Sequence, residues 1–161
     1  VTIVSNKMNQ KKCLDVIGDL SDKKRIIEFL KNSGTQLELN QFENIRISLG
    51  HPKFGMELTE EFNPLEAGLI DHISFNKGCY IGQEVVARLN TYDKVQRKLV
   101  KLSWDGLLKE NEIISEGKVV GVITSNLEGE GLGFVRNNFA NLESDLTCGD
   151  RSLQVTEVLS D

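Results

Sequence analysis

The sequence predicts an α+β protein in which a small α+β layer is followed by a C-terminal antiparallel β-barrel. The first observation is a short apolar strand and a capped helix within residues 14–34. The second is a change of pattern after Arg97, where short strands at hairpin spacing alternate with glycine turns, as in small barrels. We therefore predict a first domain over residues 1–97 and a barrel domain over residues 98–161.

The α+β layer begins with an apolar strand over residues 14–17, which ends at Gly18. Ser21 or Asp22 can cap a helix that runs to Asn32, and Gly34 then stops it in the usual C-terminal position. The predicted buried face of this helix consists of Ile26, Ile27, Phe29 and Leu30. Residues 37–39 and 44–49 alternate apolar and polar side chains, which predicts two further strands.

The predicted barrel strands are residues 99–104, 113–114, 119–124, 132–135 and 153–158. The breaks between them contain glycine, at Gly106, Gly117, Gly129, Gly131 and Gly149. Five short strands separated in this way indicate a small antiparallel barrel or sandwich.

Composition excludes several classes of protein. The chain has 161 residues, 39% of them hydrophobic, and a net charge of −5, which fits a compact protein and argues against a nucleic-acid partner. It contains no apolar run near the roughly 20 residues that span a bilayer. Three cysteines and two histidines at wide spacing form no zinc pattern or disulfide framework, so we expect a reducing, cytoplasmic compartment.

The most informative segment is the string from Lys77 to Arg88, KGCYIGQEVVAR. The spacing of Ile81, Val85 and Leu89 predicts an apolar helical stripe, so Cys79 is expected at or just before a helix N-terminus. Free amides, the helix dipole and a neighbouring lysine favour a thiolate. The alternative is that Cys79 is a small buried hydrophobe, as free cysteines often are.

This string resembles the signature of the YgfZ-type folate-binding branch of the glycine-cleavage T-protein (aminomethyltransferase-like) superfamily. Residues 45–55 and 63–69 resemble the family segments upstream of the signature, and residues 121–125 agree more weakly. The resemblance implies that the α+β layer is the ferredoxin-like part of the T-protein fold. It also implies a further N-terminal domain, so we expect this chain to be the C-terminal portion of a longer protein.

The resemblance implies a folate-binding accessory protein in iron–sulfur cluster assembly or repair, linked to tRNA-modifying iron–sulfur enzymes. Its cofactor would be tetrahydrofolate, and its partners would be iron–sulfur client or assembly proteins. Cys79 would be the reactive thiolate, with Lys77 beside it. The candidate folate contacts are Tyr80, Gln83, Glu84, Arg88, Glu66 and Arg46.

Several of these residues have a second interpretation. Arg88 can hold the carboxylate of a folate tail or pair with Glu84 one turn away, and Tyr80 can stack on a ligand ring or fill core volume. Glu66 can shape a ligand cavity or act as a cap or surface carboxylate. Ser48 stands where the family commonly has a glutamate and offers one oxygen where a carboxylate offers two, so we expect this chain alone to bind folate weakly.

Two other functions stay open from the sequence. A true aminomethyltransferase moves a one-carbon unit to tetrahydrofolate and needs an acid or base near the amine. In the T-proteins, the residue that fills this role is an aspartate of the N-terminal domain. The T-proteins also lack the Lys-Gly-Cys-Tyr signature. The remaining alternative is a non-catalytic binding module with a structural cysteine.

Overall fold

The computed structural model describes residues 1–8, 11–91, 95–127 and 129–160. The chain divides into two compact units, Val1–His51 and Pro52–Asp161. The barrel begins at Arg97, inside the second unit, and the division into domains at residues 97 and 98 stays a prediction.

The first unit contains an antiparallel hairpin and two helices. Strands β1 (Thr2–Met8) and β2 (Lys11–Ile17) pair in a register that places Ser5 opposite Leu14. A 3-10 turn over Leu20–Asp22 leads into helix α1 (Lys23–Lys31). Helix α2 follows over Leu39–Ser48. The predicted first helix is confirmed, because α1 lies within the predicted limits.

The two strands predicted at residues 37–39 and 44–49 are wrong, because helix α2 occupies most of this region. Its start is set by a capping box, in which the Gln41 side chain accepts a hydrogen bond of 2.8 Å from the Glu38 amide. The apolar residues Phe42, Ile45 and Leu49 also fit helical spacing. The apolar residues of this segment therefore fit both the strand period and the helical period, and the capping box favours the helix.

The buried face predicted for α1 is also wrong. Ile26 is half-buried, whereas Phe29 is 70% exposed and Leu30 is 46% exposed. An amphipathic helix whose apolar face stays exposed shows that helical spacing alone does not establish a core contact.

The second unit begins with a long loop that contains a 3-10 turn over Ile70–His72, followed by helix α3 (Gln83–Thr91). The barrel strands are β3 (Arg97–Ser103), β4 (Glu112–Ser115), β5 (Lys118–Leu127), β6 (Glu130–Arg136), β7 (Leu146–Cys148) and β8 (Arg151–Val158). They close into a barrel in the order β3-β6-β5-β4-β7-β8, with every neighbouring pair antiparallel.

The barrel interior is a single apolar cluster. Its most buried members include Val100, Leu102, Ile113, Leu146 and Val155. The five predicted strands are confirmed, and the predicted fold class is confirmed with them: helices and a small sheet accompany a closed six-stranded antiparallel barrel. Strand β7 was missed because it has only three residues, too few to show a period of two.

One buried carboxylate fastens the loop to the barrel wall. Glu57 has no exposed surface, and its Oε1 accepts hydrogen bonds from the hydroxyls of Ser125 at 2.6 Å and Thr124 at 2.7 Å. Its Oε2 accepts a hydrogen bond of 2.9 Å from the Lys53 amide. A buried carboxylate is tolerated only when its oxygens are satisfied in this way.

A glycine allows the same loop to approach the last barrel strand closely. Gly68 has a φ of +71°, and a Cβ atom at this position would lie 2.5 Å from the carbonyl oxygen of Leu159. Both the left-handed backbone and the close approach therefore require glycine.

We predict that Glu57→Ala lowers the free energy of unfolding by about 2–4 kcal/mol, because each buried donor left without an acceptor costs about 1–3 kcal/mol. The measurement is urea unfolding followed by the fluorescence of Trp104, the single tryptophan, which is buried in the barrel. The matched control is Glu60→Ala at an exposed carboxylate, which should change stability by less than about 0.5 kcal/mol. Equal unfolding midpoints for the two variants would contradict the assignment.

Candidate functional site

The segment that contains the sequence signature is an exposed loop leading into α3. Cys79 lies four residues before the first residue of the helix, Gln83, and Gly82 between them has a φ of +87°. The side chain of Gln83 folds back to accept a hydrogen bond of 3.3 Å from the Tyr80 amide. The loop is therefore organised by its own backbone and by the first helical side chain.

The apolar helical stripe expected from the spacing is wrong. Ile81 lies outside the helix and is fully exposed, and Val85 is 58% exposed. Val86 is the residue of α3 that is buried. The spacing failed here because the positive φ of Gly82 separates Ile81 from the helix.

Lys77 and Tyr80, both singled out from the sequence, contact each other. The Lys77 ammonium lies 4.7 Å from the centroid of the Tyr80 ring, which is the geometry of a cation–π interaction. This contact holds a positive charge on the same loop as Cys79, two residues away in the chain. Tyr80 is half-buried, so its ring is partly available.

The three cysteines lie in three different environments. Cys79 is exposed, Cys13 is half-buried and Cys148 is buried. The Cys148 thiol donates a hydrogen bond of 3.2 Å to the Glu110 carbonyl. Burial, and then the negative charges of Glu110 and Glu112, raise the pKa of the Cys148 thiol above its usual value.

Glu84 and Arg88 stand in the first and last turns of α3, and both are exposed. The part of the chain that the structure describes contains no ion pair between these two side chains. Their charged groups therefore face solvent on the same helix that follows Cys79.

Glu66 is buried and joins the loop to the start of β3. Its two oxygens lie 3.1 Å and 3.3 Å from the Nε and Nη2 atoms of Arg97, and it also accepts a hydrogen bond from the Asn63 amide at 2.9 Å. The Arg97 guanidinium lies 4.9 Å from the centroid of the Phe62 ring, which stacks on Phe134 at 3.8 Å. Sequence reasoning did not find Arg97, because the pair is separated by 31 positions.

Arg46 is 2% exposed in the first unit. It forms an ion pair of 3.0 Å with Glu43 and donates a hydrogen bond of 2.8 Å to the carbonyl of His51. Ser48 donates to the Ile45 carbonyl at 3.0 Å. To bind a ligand directly, Arg46 would have to give up its protein partners, and Glu66 would have to do the same.

Of the six predicted folate contacts, the structure brings Tyr80, Gln83, Glu84 and Arg88 together on one loop and helix. Arg46 belongs to the first unit and pairs with Glu43, and Glu66 pairs with Arg97. The structure has cavities of about 910, 560 and 390 Å³. None of these three cavities is lined by any of the six residues, by Cys79 or by Lys77. None of these three cavities is therefore a folate site built around the signature.

Two classes of site find no support among the described residues. They contain no group of three histidine, cysteine or carboxylate side chains placed to hold a metal ion. Every helix within these ranges is too short or too polar to cross a lipid bilayer.

Comparison with known proteins finds likenesses to the barrel sequence and to the fold. Residues 96–158, which contain the whole barrel, match the family model described as CAF17, C-terminal beta-barrel domain. The crystal structure of the glycine cleavage system aminomethyltransferase T from Bartonella henselae superimposes with a TM-score of 0.70. That match covers 88% of this chain and 44% of the other at 18% identity, so it shows the fold. The chain thus has the T-protein fold, with a barrel of the CAF17 C-terminal family.

Sequence relatives then confirm the resemblance seen in the signature. A chloroplastic protein of Arabidopsis thaliana that is named as a transferase is 40% identical over 68% of this chain. The tRNA-modifying protein YgfZ of Blochmanniella pennsylvanica is 31% identical, and an aminomethyltransferase of Halothermothrix orenii is 30% identical, each over 71% of this chain. Over most of its length, this chain is similar in sequence to YgfZ and to aminomethyltransferases. It spans 27–37% of the length of these three relatives.

We predict that iodoacetamide alkylates native Cys79 rapidly and native Cys148 very slowly, because only Cys79 is exposed and burial keeps Cys148 protonated. Cys13 should react at an intermediate rate. The measurement is labelling over a range of pH with mass-spectrometric assignment of each site. The control is labelling in urea, where the three rates should converge, and equal rates in the native protein would contradict the prediction.

Proposed function

We propose that this chain presents a reactive cysteine, Cys79, to iron–sulfur client proteins, as part of a folate-binding accessory factor in iron–sulfur cluster assembly or repair. The observation that carries the proposal is the exposed Cys79 thiol within the signature loop. The relationship to YgfZ supports it, and we extend the role to iron–sulfur enzymes that modify tRNA. The proposal places the protein in a reducing, cytoplasmic compartment, where a free thiol persists.

The chemistry proposed for Cys79 is metal ligation at the surface of a client. The thiol loses its proton to solvent, and the sulfur lone pair binds an exposed iron of the client's cluster. Iron–sulfur clusters normally need four thiolates, so one cysteine can hold a cluster only while the client supplies the other ligands. Lys77, held on the Tyr80 ring, would place positive charge where a cluster with anionic ligands arrives.

The loop geometry suits such a transient contact. Gly78 has no heavy atom within 4 Å of the position where a Cβ atom would lie, and the same is true of Gly82. Together with the exposed Ile81 side chain, these open positions let a client surface approach the thiol closely. A structural cysteine would instead resemble Cys148, which is enclosed by the barrel.

Folate enters the proposal as a ligand of the longer protein. Within this chain Tyr80, Gln83, Glu84 and Arg88 would contribute one wall of its site: a ring for stacking, an amide, and two charges for the ends of the molecule. In this proposal, further residues beyond these four complete the cavity. Bound folate supplies a one-carbon carrier or a regulatory signal, and no step in the Cys79 chemistry is routed through it.

We predict that this chain alone binds tetrahydrofolate more weakly than the micromolar range. Ser48 replaces a carboxylate and donates its own hydroxyl to Ile45, and each charge-assisted hydrogen bond lost costs about 1.5–3 kcal/mol. Calorimetry with tetrahydrofolate measures the affinity. The control is the same titration with the product of the gene expressed in full. Micromolar binding by residues 1–161 would contradict the proposal that this chain supplies only one wall of the folate site.

We predict that the gene encoding this chain, expressed in full, restores iron–sulfur enzyme activity in cells that lack their own YgfZ-type protein, and that Cys79→Ala abolishes the rescue. Alanine keeps most of the side-chain volume but removes the sulfur. Lys77→Ala should reduce the rescue, and Lys77→Arg should largely retain it because the cation stays on the Tyr80 ring. The measurement is the activity of an endogenous iron–sulfur enzyme, with protein abundance checked by immunoblotting.

The matched control is Cys13→Ala, which removes a half-buried thiol from the hairpin and should rescue as well as the parent. Rescue by Cys79→Ala at parental levels would refute the proposed role of the thiol. The relationship to aminomethyltransferases makes glycine cleavage the second candidate function. Turnover of the full-length product in a glycine-cleavage assay would favour that candidate instead.

A further inference from the structure

A groove of about 910 Å³ lies at the barrel wall, away from the signature residues. It is bounded by the start of β3, the first half of β5 and the residues that follow β6. Its volume is within the range of about 300–1,000 Å³ typical of small-molecule sites. None of the residues predicted from the sequence to bind folate or to react lines this groove.

Two arginines face each other at this groove. Arg97 and Arg136 are directly opposite in the β3–β6 register, so their side chains leave the same face of the sheet, and like charges in such a pair destabilise it. Arg97 is compensated by Glu66. The Arg136 guanidinium is exposed and makes no hydrogen bond or ion pair with any residue that the structure describes.

The rest of the lining combines amide groups with an apolar surface. The amides are those of Gln96, Asn137 and Asn138. The amide of Asn137 donates to the Gln96 carbonyl at 3.0 Å, and its side chain donates to the Val95 carbonyl, which fixes the turn beside Arg136. Val119 on the other side is 49% exposed and contributes apolar surface to the groove.

The charge of the lining selects the ligand class. The groove has two guanidinium groups and one carboxylate, that of Glu61, and the Glu61 carbonyl accepts a hydrogen bond of 3.0 Å from Arg97. Arginine binds carboxylates and phosphates in a bidentate manner. Because Glu66 already offsets the charge of Arg97, an oxyanion between Arg97 and Arg136 would neutralise the remaining charge, that of Arg136, while an apolar body would cover Val119.

We propose that this groove binds a small organic oxyanion, with its carboxylate or phosphate between Arg97 and Arg136 and its apolar body against Val119 and Val122. The site is separate from the Cys79 loop in its residues and in its chemistry. It therefore adds a second binding activity to the barrel, and its existence does not depend on the iron–sulfur role.

The test uses the whole chain at about 150 mM salt, where the Debye length is about 8 Å and surface attraction is screened. The probes are 2-naphthoate and 2-naphthyl phosphate, with neutral 2-naphthamide and inorganic phosphate as comparisons. Binding is followed by amide chemical shifts in a labelled sample. We expect saturable binding of one or both aromatic anions, with shifts concentrated at residues 119–122 and 136–138. The two anions distinguish a carboxylate site from a phosphate site.

The Arg136→Gln variant should weaken aromatic-anion binding at least about tenfold, because a charge-assisted bidentate contact is lost. Its melting temperature should stay equal or rise, because the variant also removes the like-charge pair. The matched control is Arg25→Gln, which removes the same charge from a side chain that is 78% exposed in α1 and should leave affinity within twofold. A second variant, Val119→Glu, should abolish binding by blocking the apolar surface and repelling the anion.

Three outcomes would overturn the proposal: binding of 2-naphthamide as tight as that of 2-naphthoate, shifts that map away from the groove, or unchanged affinity in Arg136→Gln and Val119→Glu. Binding of inorganic phosphate as tight as that of naphthyl phosphate would show a simple anion contact and would remove the apolar part of the proposal. Cys79→Ala should leave naphthoate binding unchanged, so failure here is distinguishable from failure of the proposed function.

Discussion

The ion pair between buried Glu66 and half-buried Arg97 is the interaction on which the arrangement of the second unit depends. Arg97 is the first residue of β3, and its guanidinium binds the Glu66 carboxylate, the Glu61 carbonyl and the face of the Phe62 ring. The Phe62 ring in turn stacks on Phe134 in β6, which links Arg97 to that strand. One side chain thus fixes the loop, the first barrel strand and the wall next to it. Glu57 repeats this arrangement with the hydroxyls of β5.

The contacts of Glu57 and Glu66 with the barrel show what could and could not be predicted from the sequence. Alternating side chains and glycine turns are local, so they identified five of the six barrel strands and the class of the fold. The contacts of Glu57 and Glu66 join residues 31–68 positions apart, and a single sequence contains no signal for such pairs. Glu66 was noticed only through a family resemblance, and its partner Arg97 was not noticed.

The wrong predictions, two strands before Gly50 and two buried helical faces, have local causes. Residues 44–49 satisfy both a period of two and a helical period, and only the contact between Glu38 and Gln41 shows that the helix begins there. Helical spacing also suggested buried stripes at α1 and from Ile81 onwards, yet Phe29 and Ile81 are exposed. In both cases the pattern reported which residues are apolar, whereas burial depends on what packs against them.

The division between a self-sufficient barrel and a weakly packed remainder has a functional consequence. The closed barrel has no free edge strand and encloses one apolar cluster, so it can stay rigid without help from other elements. The hairpin of the first unit has two strands, with Ile3 and Leu14 each more than half exposed, and a two-stranded hairpin is marginally stable by itself. Surfaces that open or receive partners come from such low-stability regions. The Cys79 loop is both accessible and supported. Its glycines leave it open, and the chain before it is held against the barrel by Glu57 and Glu66. An exposed thiol on an accessible segment with a fixed support is the arrangement that the proposed transient contact with a client would require.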